Sequence, residues 1–251
     1  MSQKTKKCLI LSYVFLLALS VAPMAYAMHI MEGFLPAQWC IAWAVLCIPS
    51  LFIGFRKASS VLAKEQQSIM LLAMAGAFTF VLSALKVPSV TGSSSHMTGL
   101  GFAAILFGPS VAAVLGLIVL LFQALLLAHG GLTTLGANTF SMGVVGPLVA
   151  YGIYKGLSKG KVNKKIAIFF AAALGDLATY VITSIQLALA HPSPQGGVLA
   201  SFTKFSTIFA VTQVPLAIIE GILTVVLINV IMNYGKDMFT EHGKELILHE
   251  Q

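Results

Sequence analysis

The sequence predicts an all-α, polytopic membrane protein of about seven transmembrane helices, one of them short, after a cleaved signal peptide. Three observations point there. Of the 251 residues, 9% are charged and 58% hydrophobic, with mean hydropathy +0.93; a water-soluble domain carries about 25% charged residues. The apolar residues fall in long runs bounded by Gly, Pro or charge. The chain also opens with the three-part pattern of a secretory signal.

That opening places "MSQKTKK" as a basic n-region, Cys8 to Val21 as an apolar h-region, and "AYA", ending at Ala27, as a small-residue cleavage site. The h-region is short for a membrane span, and Pro23 with Ala-x-Ala argues for processing. Residues 1–27 are therefore read as a signal peptide. Residues 28–251 form one transmembrane domain that begins at Met28 and ends in a short tail, 234–251. The mature chain keeps Cys40 and Cys47. Seven residues apart on one predicted helix, they lie about 10 Å apart along its axis. A disulfide between them is excluded, and packing is their expected role.

The apolar runs place spans at 38–55, 66–86, 97–107, 110–128, 138–156, 165–190 and 203–233. A crossing helix needs about 20 apolar residues, so the third is too short to cross alone. It ends at "FGP", where Pro109 cannot continue a helix ladder. A short helix and a full one are expected to meet there at a tight turn. No internal repeat or low-complexity linker is visible.

The net charge of +7 raises nucleic acid as a partner, but no basic patch is interleaved with aromatics. Membrane topology accounts for the charge better. Ten of the twelve Lys and Arg after residue 27 fall in the loop with Arg56, Lys57 and Lys64, in the loop from Lys155 to Lys165, and in the tail. The excess of basic residues in cytoplasmic loops puts these inside. The mature amino terminus is then outside a bacterial inner membrane and the carboxyl terminus is cytoplasmic. Residues 88–99, "PSVTGSSSHMTG", face the outer side or dip in from it. His29 and His96 thus share a side.

Cleavage before Met28 would free its α-amine. A metal held there can also take the deprotonated amide of His29 in a five-membered chelate ring and its Nδ1 in a six-membered one. These three nitrogens are nearly coplanar because the peptide unit is planar. One more imidazole, from His96, completes a square-planar N4 set, which suits Ni(II) or Cu(II). The expected metal ligands are Met28, His29 and His96. Glu32, Ser94, Asn138 and Gln123 are candidates to hydrogen-bond the ligand imidazoles; Asn138 also reads as a helix cap. His129 and His191 read as interfacial polar residues, and His242 and His249 belong to the tail. Met31 and Met97 read as packing residues. Asp176 and Glu220 lie inside predicted helices, where a charge is costly and needs partners. They read as a buried hydrogen-bonded pair or protonated acids, with subunit contact or metal passage as the functional alternatives; neither is placed near the outer site. Ala73 and Ala77, four apart, permit close helix contact, either within the bundle or with a partner subunit.

Five stretches carry a family likeness: "MHIMEGFLP", "SALKVPSVTGSSSHMTGLGFAAILFGP", "LLFQALLLAHGGLTTLGANTFSMGVVGP", "GDLATY" and "KFSTIFAVTQVPLAIIEG". Over residues 28 to about 234 the chain resembles the CbiM family, the substrate-capture subunits of energy-coupling-factor cobalt transporters. The resemblance implies a seven-helix membrane protein whose N-terminal segment tucks into the bundle, with Met28, His29 and His96 at the family's metal-binding positions. It implies Co²⁺ as transported ligand for cobalamin synthesis, with no resident cofactor. The partners it implies are a transmembrane coupling subunit, an ATP-binding cassette ATPase and a small auxiliary membrane subunit. Nickel-specific relatives tend to begin Met-His-Ile-Pro-Asp-Gly, so "MHIMEG" favours cobalt, whereas coordination chemistry alone leans to nickel. The nearest match to a phosphate-binding G-x-x-x-x-G-K-[ST] loop, "KGLSKGKV", has Lys155 and Val162 at the wrong places, so ATP hydrolysis falls to a partner. Two other classes compete. An intramembrane metalloenzyme needs an open coordination position and a nearby acid or base, for which Glu32 is the local candidate. A metal-sensing receptor needs an output domain longer than the tail.

Overall fold

In a computed structural model, residues 29–64, 66–88, 94–160 and 162–234 are described. The expected signal peptide, Met28 and the tail after Tyr234 lie outside them. The helices are α1 (Ala37–Lys64), α2 (Gln66–Ala84), α3 (Leu100–Phe107), α4 (Pro109–Leu127), α5 (Leu135–Asn138), α6 (Gly146–Lys159), α7 (Lys164–Ala190) and α8 (Gly197–Tyr234). A π-helical stretch, Thr139–Val145, joins α5 to α6 without a break. The two count as one span, which makes seven helical units. Among the described residues, four helices are long and apolar enough to cross a membrane: α1, α4, α7 and α8; α2 is apolar but shorter.

Local signals set the helix ends. Gly99, at φ 72°, leads into α3; Gly108, at φ 81°, separates it from α4, whose first residue is Pro109. Proline is favoured there because its missing N–H would be unbonded anyway. Asn163 caps α7 by accepting a hydrogen bond from Lys165 N. The expected tight turn between a short and a full helix is present. All eight residues of α3 are buried, as befits a helix that is apolar on every side. A Cβ on Gly101 would stand 2.9 Å from Ala172 Cα, so α3 lies close against α7 only because residue 101 has no side chain.

Two helix boundaries differ from expectation by six residues or more, and one short element was not expected. The first helix continues through Pro49 to Lys64, beyond the apolar limit at residue 55, because loss of hydropathy at Arg56 does not interrupt backbone hydrogen bonding. Arg56 lays its guanidinium over the Phe52 ring, 5.4 Å from the centroid. The last helix starts at Gly197 rather than 203. Between α2 and α3 a two-residue antiparallel pair forms, Val87 with Ser95 and Pro88 with Ser94. This pair, which the sequence reading did not foresee, turns the chain back into the bundle.

The core centres on Phe102, Ile105, Leu106, Tyr154, Ile168 and Ile228. A second cluster, Ile30, Leu35, Tyr180, Leu187 and Phe209, seats the segment before α1. Helix α1 is peripheral, with 17% of its most apolar stretch buried against 56% for α7; Ile41, Val45, Ile48 and Phe52 face outward. Ala73 and Ala77 are exposed and line an open apolar groove between α2 and α4, so they do not serve packing within the described bundle. Cys40 and Cys47 are free thiols directed at the Leu35 and Gly136 carbonyls.

Candidate metal centre

The segment after Met28 is pinned into the bundle by its own backbone. Ile30 N donates to Asn138 Oδ1 at 2.8 Å, and Asn138 Nδ2 donates back to Ile30 O at 3.0 Å. Thr134 Oγ1 donates to the same carbonyl at 2.6 Å. Gly131 permits the contact: a Cβ there would sit 2.5 Å from Glu32 Cα. Further out, His191 Nε2 donates to Phe34 O at 2.9 Å. The result is a buried His29, 2% exposed.

The second histidine rides on a loop laced to α8. Ser95 Oγ and Thr212 Oγ1 are 2.7 Å apart, and Gln213 Nε2 donates to His96 O at 3.1 Å. Glu220 accepts from Thr98 N at 2.6 Å, Thr98 Oγ1 at 2.9 Å and Gly99 N at 2.9 Å. Three donors thus converge on the two oxygens of one carboxyl group. Gln213 also donates to Asp176 Oδ2. The buried acids are thus within two or three hydrogen bonds of His96. The sequence reading placed them away from the site because both lie deep in their helices while the site was set at the outer face; the loop descends into the bundle to meet them, and His96 is fully buried.

His29, His96 and His129 converge, with one nitrogen of each lying within 4.8 Å of the others. The rings of His29 and His96 stack at 4.2 Å with an interplanar angle of 25°. His129 stands edge-on to both, at 82° to His29 and 65° to His96. His96 Nδ1 donates to Met97 O at 2.9 Å, which fixes the tautomer and leaves Nε2 as the lone-pair nitrogen. His29 Nε2 faces Met142 Sδ at 3.3 Å, and its Nδ1 is open. Among the described residues, His29 Nδ1, His96 Nε2 and both nitrogens of His129 have no hydrogen-bond partner. Burial, helped for His29 and His129 by the neighbouring imidazoles, holds all three well below the usual imidazole range. A neutral imidazole with an open lone pair is able to bind a metal ion.

The other candidates fall into place around this centre. Asn138 grips the backbone next to His29 rather than an imidazole. Glu32 is exposed; hydrogen bonds from Thr133 hold its carboxyl below the usual range. Gln123 turns toward α2, donating to Ser83 Oγ at 2.7 Å. The side chain of Ser94 lies outside the described residues. His129 corrects the sequence reading: it is 1% exposed, not interfacial. Ala128, left-handed at φ 46°, ends α4 and turns the next residue inward. The available signal was local. His129 is followed by Gly-Gly and His96 is preceded by Gly-Ser-Ser-Ser, and both runs suit close backbone approach.

A family model described as "Cobalt uptake substrate-specific transmembrane region" (CbiM) matches residues 29–238. A cobalt transport protein CbiM of Lachnoclostridium phytofermentans is 58% identical over 243 residues, 97% of each chain. Another, of Chlorobium limicola, is 61% identical over 222 residues, 88% of this chain and 87% of its own. A crystal structure of a truncated transition metal transporter superposes with TM-score 0.72 at 27% identity, covering 82% of this chain and 99% of that one.

Proposed function

We propose a function from one premise: the chain belongs to the CbiM family of substrate-specific transmembrane proteins of cobalt uptake, and is a multi-pass transporter component rather than an enzyme. Its task is to capture Co²⁺ from the outer side of the membrane and hand it to an ATP-driven energy-coupling-factor complex, supplying cobalt for cobalamin synthesis. The cation is cargo. The Met28 amine, the His29 amide and Nδ1, and His96 Nε2 take it up, replacing its hydration shell with nitrogen donors. Asn138 holds His29 in register, and Glu220 does the same for the loop of His96. The transmembrane coupling subunit, the ATPase and the small auxiliary membrane subunit supply the energy. The basic loops orient the site outward.

The observation that carries this reading is the pairing of open nitrogens. His29 presents Nδ1, the atom a chelate through its own amide requires, and His96 presents Nε2. Nickel is the rival within the class, since a flat N4 set suits Ni(II); the relatives' names favour cobalt. The test is metal analysis of the protein beginning at Met28, beside a form with one residue added before it. The addition should abolish stoichiometric Co²⁺ binding. Equal binding by both forms would remove the terminal amine from the site.

A further inference from the structure

His29 is held at two levels. Its backbone neighbour Ile30 is gripped by Asn138. Its ring meets a polar partner only at the far edge, where Nε2 lies 3.3 Å from Met142 Sδ; among the described residues Nδ1 has no hydrogen-bond partner. Met142 is 1% exposed and sits in the π-helical stretch Thr139–Val145. Such turns are rare and often mark functional sites. Asn138 and Met142 are four residues apart, about one turn, so one face of this span meets two successive residues of the incoming segment.

A thioether sulfur has lone pairs and no hydrogen, so toward a ring nitrogen it can only accept. A neutral imidazole carries one N–H, on either nitrogen. With the hydrogen on Nε2, the ring donates to the sulfur. With the hydrogen on Nδ1, two lone pairs face each other across the same gap, and a buried N–H is left without an acceptor, which is costly.

We propose that Met142 is a positioning residue: its sulfur holds His29 in the Nε2–H tautomer and so keeps the Nδ1 lone pair free for the cation. The purpose, though not the tautomer, rests on the metal-capture reading above. Metal-ligating histidines usually anchor their second nitrogen on a carboxylate, a carbonyl or water, which raises the strength of the ligand. Sulfur is a weaker acceptor. It sets the tautomer while adding little to ligand strength, which suits a site whose cargo must leave again.

The test uses the metal-free full chain beginning at Met28, with ¹⁵N in its histidine rings, as wild type and as Met142→Leu. Nitrogen shifts separate an N–H ring nitrogen from one with a lone pair, and His29 is assigned by the signals lost in His29→Phe. Wild-type His29 should carry its hydrogen on Nε2. Met142→Leu, which nearly keeps the volume and removes the acceptor, should show the Nδ1–H form as well. Its Co²⁺ affinity should fall about tenfold, with the metal-free unfolding midpoint little changed. Wild-type His29 with its hydrogen on Nδ1 would overturn the proposal and leave metal capture standing, and that spectrum decides even if the variant fails to fold. An unchanged tautomer in a folded Met142→Leu, whatever its affinity, would do the same, since Met142 would then only pack. A wild type that binds no Co²⁺ would overturn both the purpose proposed for Met142 and the capture reading.

Discussion

Two buried polar clusters meet at the loop before α3, and they are built on opposite principles. Both carboxylate oxygens of Glu220 are engaged, by Thr98 and Gly99. Around His29, His96 and His129 four ring nitrogens lack partners among the described residues. Both clusters take polar groups out of water. Only Glu220 is fully compensated within the chain, and an unmet buried donor or acceptor forfeits its full desolvation cost. The carboxylate serves the fold, whereas the open imidazoles are available to a ligand under the proposed function.

Mutation can break that contrast, and the largest effect is expected at Glu220. Glu220→Ala leaves two backbone N–H groups and a hydroxyl without acceptors, and should lower the stability of the metal-free protein by about 3 kcal/mol or more. Glu220→Gln, which keeps one acceptor, should fall between it and the wild type in detergent unfolding. His96→Ala should do the reverse. Its Co²⁺ affinity, read by calorimetry, should fall about a hundredfold, with the metal-free unfolding midpoint unchanged or raised. If His96→Ala destabilises the metal-free chain as much as Glu220→Ala, the contrast between the two clusters is wrong. Asn138→Ala sits between the classes. It frees Ile30 N and releases His29, so Co²⁺ affinity should drop about tenfold with a modest loss of stability. A loss of stability with unchanged affinity would show that Asn138 only packs.

The fold was largely legible because lipid imposes simple rules. The run expected at 165–190 is α7, Lys164–Ala190, and that at 110–128 is α4, Pro109–Leu127, since apolar length and Gly or Pro punctuation settle both ends. Where charge rather than a breaker marked the limit, as at Arg56, the helix ran on. The centre was legible in part. His29 and His96 stood out through chain position and small neighbours. His129 did not, because convergence across about 100 residues of chain is decided by a left-handed Ala128 that carries no sequence mark. Glu220 announced only that it needed a partner; backbone N–H groups of a distant loop are invisible in a list of side chains.

Gln213 and Glu220 are seven residues apart on α8, so they project from the same side two turns apart, about 10 Å along the axis. One helix therefore grasps the His96 strap at two points, like a hand on a rail, with Pro215 between them. Sliding or tilting the helix as a whole must either carry the imidazole with it or let go of both holds, and bending at Pro215, where a backbone hydrogen bond is missing, can move one hold without the other. Whatever leans on α8 from outside the chain thus has mechanical purchase on the loop of His96.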